Sequence, residues 1–324
     1  MSNGYFGSAI HELAVFYNTE NFYSAEARTS QLPNIEFSGL RNWDRFRFQN
    51  KLQKIAQVFQ LIRDKHGVLP MVIGLAEIQG DAVLQELVAQ PVFEGRCRVV
   101  HYESMDERGV DVALIYDSSK VEVISSEPIS YFFEIEGTDS EKYDTTRDVL
   151  HVKLKYGISA VNVFVFHLPS KREKDINKPR RDVILTDIRE RIVEMTELGE
   201  AVLLMGDFNE NPDEENIRSI TYGSNNEKIL SNPFLELFME GKFSTYHRQF
   251  GLLFDQMLIS DDFFKEEALL KYESADVFDH PKLKSWDRKF EGRPFRTFVG
   301  SRYLGGYSDH FPVLLKFRKN YKKN

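Results

Sequence analysis

One cysteine, Cys97, stands in 324 residues. A lone cysteine excludes an intramolecular disulfide framework and any metal site built on several thiolates. Within "GRCRVVHY" it reads as a small buried apolar residue rather than a reactive thiol. No apolar run reaches the length needed to span a bilayer. The N-terminal stretch "MSNGYFGSAIHELAVFYN" has no basic region followed by a continuous apolar segment and a small-residue cleavage site. The sequence therefore reads as a soluble, cytoplasmic protein. Internal repeats, low-complexity tracts and Pro/Ser-rich linkers are also missing. That pattern offers no boundary at which residues 1–324 would divide into domains, and the chain ends in a basic tail, "KFRKNYKKN", over 316–324, with the core expected from about 11 to 318. A monomer is the expectation.

Positive charge is scarce as well: 42 Lys and Arg against 50 Asp and Glu leave a net charge of −8. This argues against a general nucleic-acid coat, which needs a basic face, and leaves room for an enzyme with a few local cations. Several catalytic signatures are missing too. There is no "HExxH", no Walker-type phosphate loop, no "GxSxG" and no dinucleotide fingerprint.

Short apolar runs alternating with amphipathic segments are what the sequence does contain. "LAVFY", "MVIGLAEI", "VDVALIY", "VEVI", "VLHVKLK", "VNVFVF", "AVLLM", "LFDQMLI" and "FPVLLKF" read as strands. Phe48, Leu52, Ile55, Phe59 and Ile62 recur at steps of four and three, forming one stripe on a helix ending near Gly67. "DAVLQELVAQ" reads as a helix capped by Asp81, and "KPRRDVILTDIRERIVEMTEL" as a long helix with Pro179 near its start and Gly199 past its end. The mixture predicts an α/β layered fold.

The ends of these strands carry polar side chains: Asn18, Glu77, Arg108, Arg147, Asp148, His167, Asp207, Asn209, Asp255, Asp309 and His310. Singly, each has a bland explanation. Asn18 and "GDFNENP" can be turns, Asp255 with His310 an ion pair, Arg147 a partner of Asp148 or Asp144, and Arg108 a partner of Asp106. Jointly they fit water attack on phosphorus better than core stabilisation, because buried charge is costly unless paired or metal-bound. Asn, Glu and Asp supply hard oxygen ligands suited to Mg²⁺ or Mn²⁺. A carboxylate-bound histidine suits proton transfer or charge stabilisation, and arginine matches phosphate oxygens with a planar fork. If the chain runs extended past Asp207, then Asp207 and Asn209 point to one side and Phe208 to the core.

Taken in chain order, "FYN", "GLAEIQ", "TTRD", "FHLPSKR", "GDFNENP", "FDQMLIS" and "YSDHFPV" resemble the endonuclease/exonuclease/phosphatase superfamily, the deoxyribonuclease I-like group. "RGVDVALIYD" and the segment leading into "YLGGYSDHFPV" are similar to bacterial members of the kind found in Bacteroidetes. The resemblance implies a four-layer α/β sandwich, two packed mixed sheets flanked by helices, with the site where the sheet-end loops meet. It implies Glu77 as the principal metal ligand, with Asn18 and Asp309 nearby. Asp207 and Asn209 match the pair that orients water and contacts phosphate. His310 matches the histidine acting on the phosphate or as base, and Asp255 the acid that orients it. His167 matches a second histidine of the nuclease and sphingomyelinase branches, and Arg147 a phosphate-side arginine. Lys171 and Arg172 add positive charge beside His167, Arg172 as a phosphate contact. Whether Asp207 or His310 takes the proton stays open, as does the choice of one metal or two.

The implied activity is a Mg²⁺- or Mn²⁺-dependent phosphodiesterase or nuclease acting on a phosphoester, nucleic acid among the candidates. A phosphomonoesterase or phospholipase, and a non-catalytic phosphate- or nucleic-acid-binding protein, are the alternatives. The connection from Glu273 to Gly306 is long, and with Arg293, Arg296, Arg302, Phe295, Phe298 and Tyr303 it is the segment expected to set specificity or to pack as a surface loop.

Overall fold

Residues 11–26, 42–106, 108–134, 143–171, 174–223 and 225–320 are described by the computed structural model. The β-branched and aromatic runs form strands β1 (His11–Phe22), β2 (Val72–Ile78), β3 (Cys97–His101), β4 (Asp111–Asp117), β5 (Glu122–Ile129), β6 (Phe132–Glu134), β7 (Tyr143–Thr145), β8 (Val149–Tyr156) and β9 (Ser159–His167). They continue as β10 (Ala201–Asp207), β11 (Leu230–Ser231), β12 (Thr245–His247), β13 (Phe250–Leu252), β14 (Asp255–Ser260), β15 (Leu270–Val277), β16 (Phe298–Val299), β17 (Arg302–Tyr303) and β18 (Val313–Lys319). The helices are α1 (Arg45–His66), α2 (Gly80–Val88), α3 (Lys178–Glu197), α4 (Glu215–Thr221) and α5 (Phe234–Met239).

Two six-stranded mixed sheets result, one ordered β15-β18-β1-β2-β4-β3 and the other β11-β14-β10-β9-β8-β5. Each has one parallel pair at its centre, β1 with β2 and β9 with β10, among antiparallel neighbours. Strands buried on both faces need near-continuous apolar runs, which is how "LAVFY" and "AVLLM" read. Phe16 and Leu75 of the first sheet share one core with Val163, Met205 and Met257 of the second. At Gly74 the packing is so close that a Cβ would collide with the Met205 sulfur, so "GLAE" opens on glycine for a steric reason.

The predicted stripe of α1 covers the first sheet: Phe48, Leu52, Ile55, Phe59 and Ile62 all lie in that core. Asp44 caps α1 by accepting from Arg47 N, and Gly67 ends it at φ 72°. Ile184, Ile188 and Ile192 of α3 pack against Phe164, Phe166 and Leu204 on the outer face of the second sheet. Helix, sheet, sheet and helix thus stack as expected, and Cys97 is buried.

Two local expectations are corrected. Asp81 does not cap α2; Gln79 occupies the N-cap without a side-chain bond, and Asp81 lies in the first turn, where its charge complements the helix dipole. Glu273 does not open a loop, because β15 runs to Val277 and pairs with β18. Among the described residues no helix is long and apolar enough to cross a membrane.

Candidate active site

Strand register brings the polar ends together before any loop contributes. Asp207 ends β10 opposite Asp255 on β14 and His167 on β9, so one row across three strands carries two carboxylates and an imidazole. In the facing sheet Asn18 of β1 sits opposite Ala76 of β2, one residue before Glu77. Both strands break register here. Glu77 has φ 64°, while Glu20 and Asn21 follow Asn18 at φ 53° and 52°. Bulges of this kind turn a side chain out of the alternating pattern, and non-glycine residues in the left-handed region concentrate at functional sites.

The loops close the arrangement. His310 forms an isolated bridge with Thr245, whose hydroxyl donates to Asp309 O at 2.8 Å. Asn209 departs from the extended path expected of it. Its φ is 51°, and the turn is locked by Asn209 N donating to Asp207 Oδ1 at 2.9 Å and Asn209 Nδ2 to Leu168 O at 2.9 Å. Phe208 is fully buried, as expected, against Phe166.

Asp207 Oδ2 accepts from Asn18 Nδ2 at 3.1 Å and faces His167 Nε2 at 3.6 Å and His310 Nε2 at 4.0 Å. His310 Nδ1 donates to Asp255 Oδ2 at 2.6 Å, and Ser244 Oγ donates to the same oxygen at 2.5 Å. Glu77 Oε2 accepts from Asn21 N at 2.8 Å, while Oε1 faces Arg108 at 3.8 Å and His167 Nδ1 at 3.9 Å. Several of these separations exceed hydrogen-bond length, so polar groups of both signs ring a common space rather than pairing off. That space is a cleft of about 530 Å³.

Charge is poised unevenly around it. Burial, reinforced by Asp255 and opposed by His310, pushes Asp207 up to about 6. Burial alone would lower His310, but Asp255, then Asp309 and Asp207, raise it to about 10. Burial raises Asp309, yet His310, Arg296 and Lys51 outweigh it and hold the carboxyl below its usual range. Arg147 is lowered to about 10 by burial and by Arg108. Its Nε donates to His167 O at 3.2 Å, and its buried Nη1 has no hydrogen-bond partner among the described residues. Arg147 is thus no partner of Asp148, and the Asp144 side chain lies outside the described residues.

Asn18, Glu77, Arg147, His167, Asp207, Asn209, Asp309 and His310 all line this cleft. Asp255 lies directly behind His310, fully buried. Arg172 lies outside the described residues. Lys171 is drawn to Glu210 and Glu214 rather than to the cleft, pairing with Glu210 at 2.7 Å. Asp207, Asp255 and His310 offer ligand atoms within 4.8 Å of one another, a grouping able to hold a cation. His310 Nδ1 is already committed to Asp255, and Glu77, Asn18 and Asp309 bring further oxygen atoms to the lining of the same cleft.

Ser244 and Lys51 were not legible as site elements. Lys51 lies fully buried between the stripe residues Phe48 and Leu52, donating to Thr297 Oγ1 and Tyr307 O at 2.6 Å each. Glu20 accepts from Thr297 N at 2.5 Å and Phe298 N at 3.2 Å. Together they fasten the segment before "SDH" to β1 and α1. The only prior signal for Lys51 was a charged residue inside an apolar stripe.

A family model described as "Endonuclease/Exonuclease/phosphatase family" matches residues 13–319. Among solved structures, an endonuclease/exonuclease/phosphatase from Bacteroides vulgatus is 15% identical, with a TM-score of 0.58 over 96% of this chain and 99% of that one. TDP2 from D. rerio complexed with single-strand DNA product is 14% identical, with a TM-score of 0.57 over 95% and 99% of the two chains. The human Nocturnin catalytic domain with bound sulfate is 14% identical, with a TM-score of 0.54 over 96% and 95%. At these identities the structural likeness speaks for the fold. A search of curated proteins finds no match.

Proposed function

The chain belongs to the endonuclease/exonuclease/phosphatase family, and from that premise we propose that it is a Mg²⁺- or Mn²⁺-dependent phosphodiesterase of nuclease type. The observation carrying this reading is the cleft itself, where Glu77, Asn18, Asp207, Asn209, Arg147 and the His310–Asp255 pair converge from two sheets. A divalent ion held by Glu77 with Asn18 and Asp309 would supply Lewis acidity toward a phosphate oxygen. Arg147, with its unpartnered Nη1, and Asn209 hold the remaining phosphate oxygens.

The two titrations divide the labour between acid and base. Near neutral pH Asp207, at about 6, is mostly an anion able to accept a proton from water. His310, at about 10, is a cation that offsets charge gathering on the phosphoryl group. Asp255 accepts from Nδ1–H and fixes the ring's orientation, so the second proton of the cation, on Nε2, points into the cleft toward Asp207. His167, adjacent to Asp207 and Glu77, contributes a further donor. Single-stranded nucleic acid is the substrate class we favour, on the product seen in the zebrafish TDP2 complex.

Hydrolysis of bis-p-nitrophenyl phosphate against p-nitrophenyl phosphate, with Mg²⁺ or Mn²⁺, tests the reading. The diester should be preferred, and chelator or Glu77→Gln should abolish turnover and weaken Mn²⁺ binding in calorimetry. A monoester preference would assign a phosphatase. Metal-independent turnover, or undiminished Mn²⁺ binding by Glu77→Gln, would remove the metal role from this carboxylate.

A further inference from the structure

A second, smaller cavity of about 180 Å³ opens beside the cleft and shares Tyr246, Arg296 and Asp309 with it. The two cavities are therefore immediate neighbours, with the Arg296–Asp309 pair, bonded at 2.7 Å, at their boundary. The walls of the second differ in kind: Phe290, Phe295, Val299 and Leu304 are apolar, and Ser285, Arg248 and Arg293 supply polar edges. Arg293 holds its guanidinium 5.4 Å from the Tyr246 ring centre and 5.8 Å from that of Phe290. Aromatic faces with a planar cation over them accept another flat π-system edge-on or stacked.

The pocket is built rather than improvised. The segment on its far side is pinned by Glu20 to Thr297 N and Phe298 N, and by Lys51 to Thr297 Oγ1 and Tyr307 O. The near side is closed by the β12–β13 hairpin, to which Arg293 donates at Arg248 O. Local charge points the same way. Arg248, Arg293 and Arg296 line the pocket against one acid, Asp309, in a chain whose net charge is −8. Basic and aromatic side chains interleaved beside a phosphate site are the equipment of a single-stranded nucleic-acid platform.

We infer that this pocket receives one nucleobase, that of the nucleotide attached to the phosphate in the main cleft. The inference rests on the phosphodiesterase reading of that cleft and adds the feature that selects the substrate. Its volume suits one ring system, not a whole nucleotide, and a fatty chain would gain nothing from the arginines at its rim. Phe290 and Val299 touch this pocket and not the cleft, which makes them specificity-determining positions.

Cleavage of the dinucleotide d(TpT) is compared with two analogues, each lacking one thymine. Loss of one particular base should lower kcat/KM about tenfold, and loss of the other should not, as expected for one stacked base. Phe290→Ala, and independently Val299→Phe, which fills the pocket, should erase that difference. Equal cleavage of both analogues and d(TpT), or a difference surviving both substitutions, overturns the pocket, as does hydrolysis of phospholipid vesicles in preference to the dinucleotide. If no diester at all is cleaved, the reading of the cleft has failed, and the pocket is judged by calorimetric binding. AMP must then bind more tightly than ribose 5-phosphate, and Phe290→Ala must remove the advantage. Equal binding of the two overturns it.

Discussion

Asp255→Asn isolates the charge behind His310 while keeping the shape of the pair. Asp255 is fully buried, its Oδ2 accepts from His310 Nδ1 at 2.6 Å, and it is the main group raising His310 to about 10 against burial. With the charge removed, Asp207 at 4.0 Å and Asp309 at 3.9 Å remain near Nε2. The titration should then fall from about 10 toward the ordinary 6.5. An amide can also present its NH₂ to Nδ1, which favours the neutral ring with its one proton on Nε2 and so removes the positive charge facing the cleft. A positioned proton-transfer or charge-stabilising imidazole contributes roughly 100- to 10,000-fold, so kcat should drop within that range while KM changes little. The assay is a pH–rate profile on a diester, beside an NMR titration of the His310 ring in metal-free protein. Retained kcat would refute the assignment of Asp255 as the orienting acid. Lost kcat with an unmoved His310 titration would show that Asp255 acts by some route other than the imidazole.

Arg147→Lys keeps the charge and loses the planar fork; we expect KM for a diester to rise about tenfold with an unchanged fold, measured by steady-state kinetics. His310 is raised from 6.5 to about 10 on folding, so its contribution to stability is complete below pH 6.5 and disappears as pH climbs through 10. Urea unfolding of metal-free protein should show that decline, and Asp255→Asn should flatten it. Lys51→Met leaves Glu20 buried without its compensating cation and should cost about 3–5 kcal/mol in urea unfolding, with Lys51→Met/Glu20→Gln recovering part of the loss.

Much of the architecture was legible because burial on two faces leaves a continuous apolar run, and burial on one face of a helix leaves a stripe. The site was legible where carboxylates, amides and imidazoles stand at the ends of such runs, as in "GLAEIQ" and "GDFNENP". What stayed hidden depends on long-range pairing. Nothing near Ser244 indicates that its hydroxyl will meet Asp255, eleven residues on, behind a histidine at position 310. Lys51 reads as an interruption of a stripe until the chain returns, 246 residues later, with Thr297 to meet it. Asn209 lines the cleft, but a left-handed turn and not the expected extended chain aims it.

That turn and the bulge at Glu77 share a logic that can be tested without measuring activity. A left-handed conformation costs a residue with a Cβ about 1–2 kcal/mol, and Glu77 at φ 64° bears it inside a strand. The gain is direction: the bulge between Ala76 and Ile78 turns the carboxylate from the pleat into the cleft, where Asn21 N fixes it. Glu77→Ala and Glu77→Gly both delete the carboxylate, so the difference between them reports the backbone alone. In a regular strand glycine would be the less stable of the two by roughly 0.5–1 kcal/mol. Here the sign should reverse, with Glu77→Gly more stable by about 1 kcal/mol in urea unfolding, because only the alanine retains the clash. If Glu77→Ala is the more stable, residue 77 is not held left-handed in solution, and the strand does not store strain to aim this side chain.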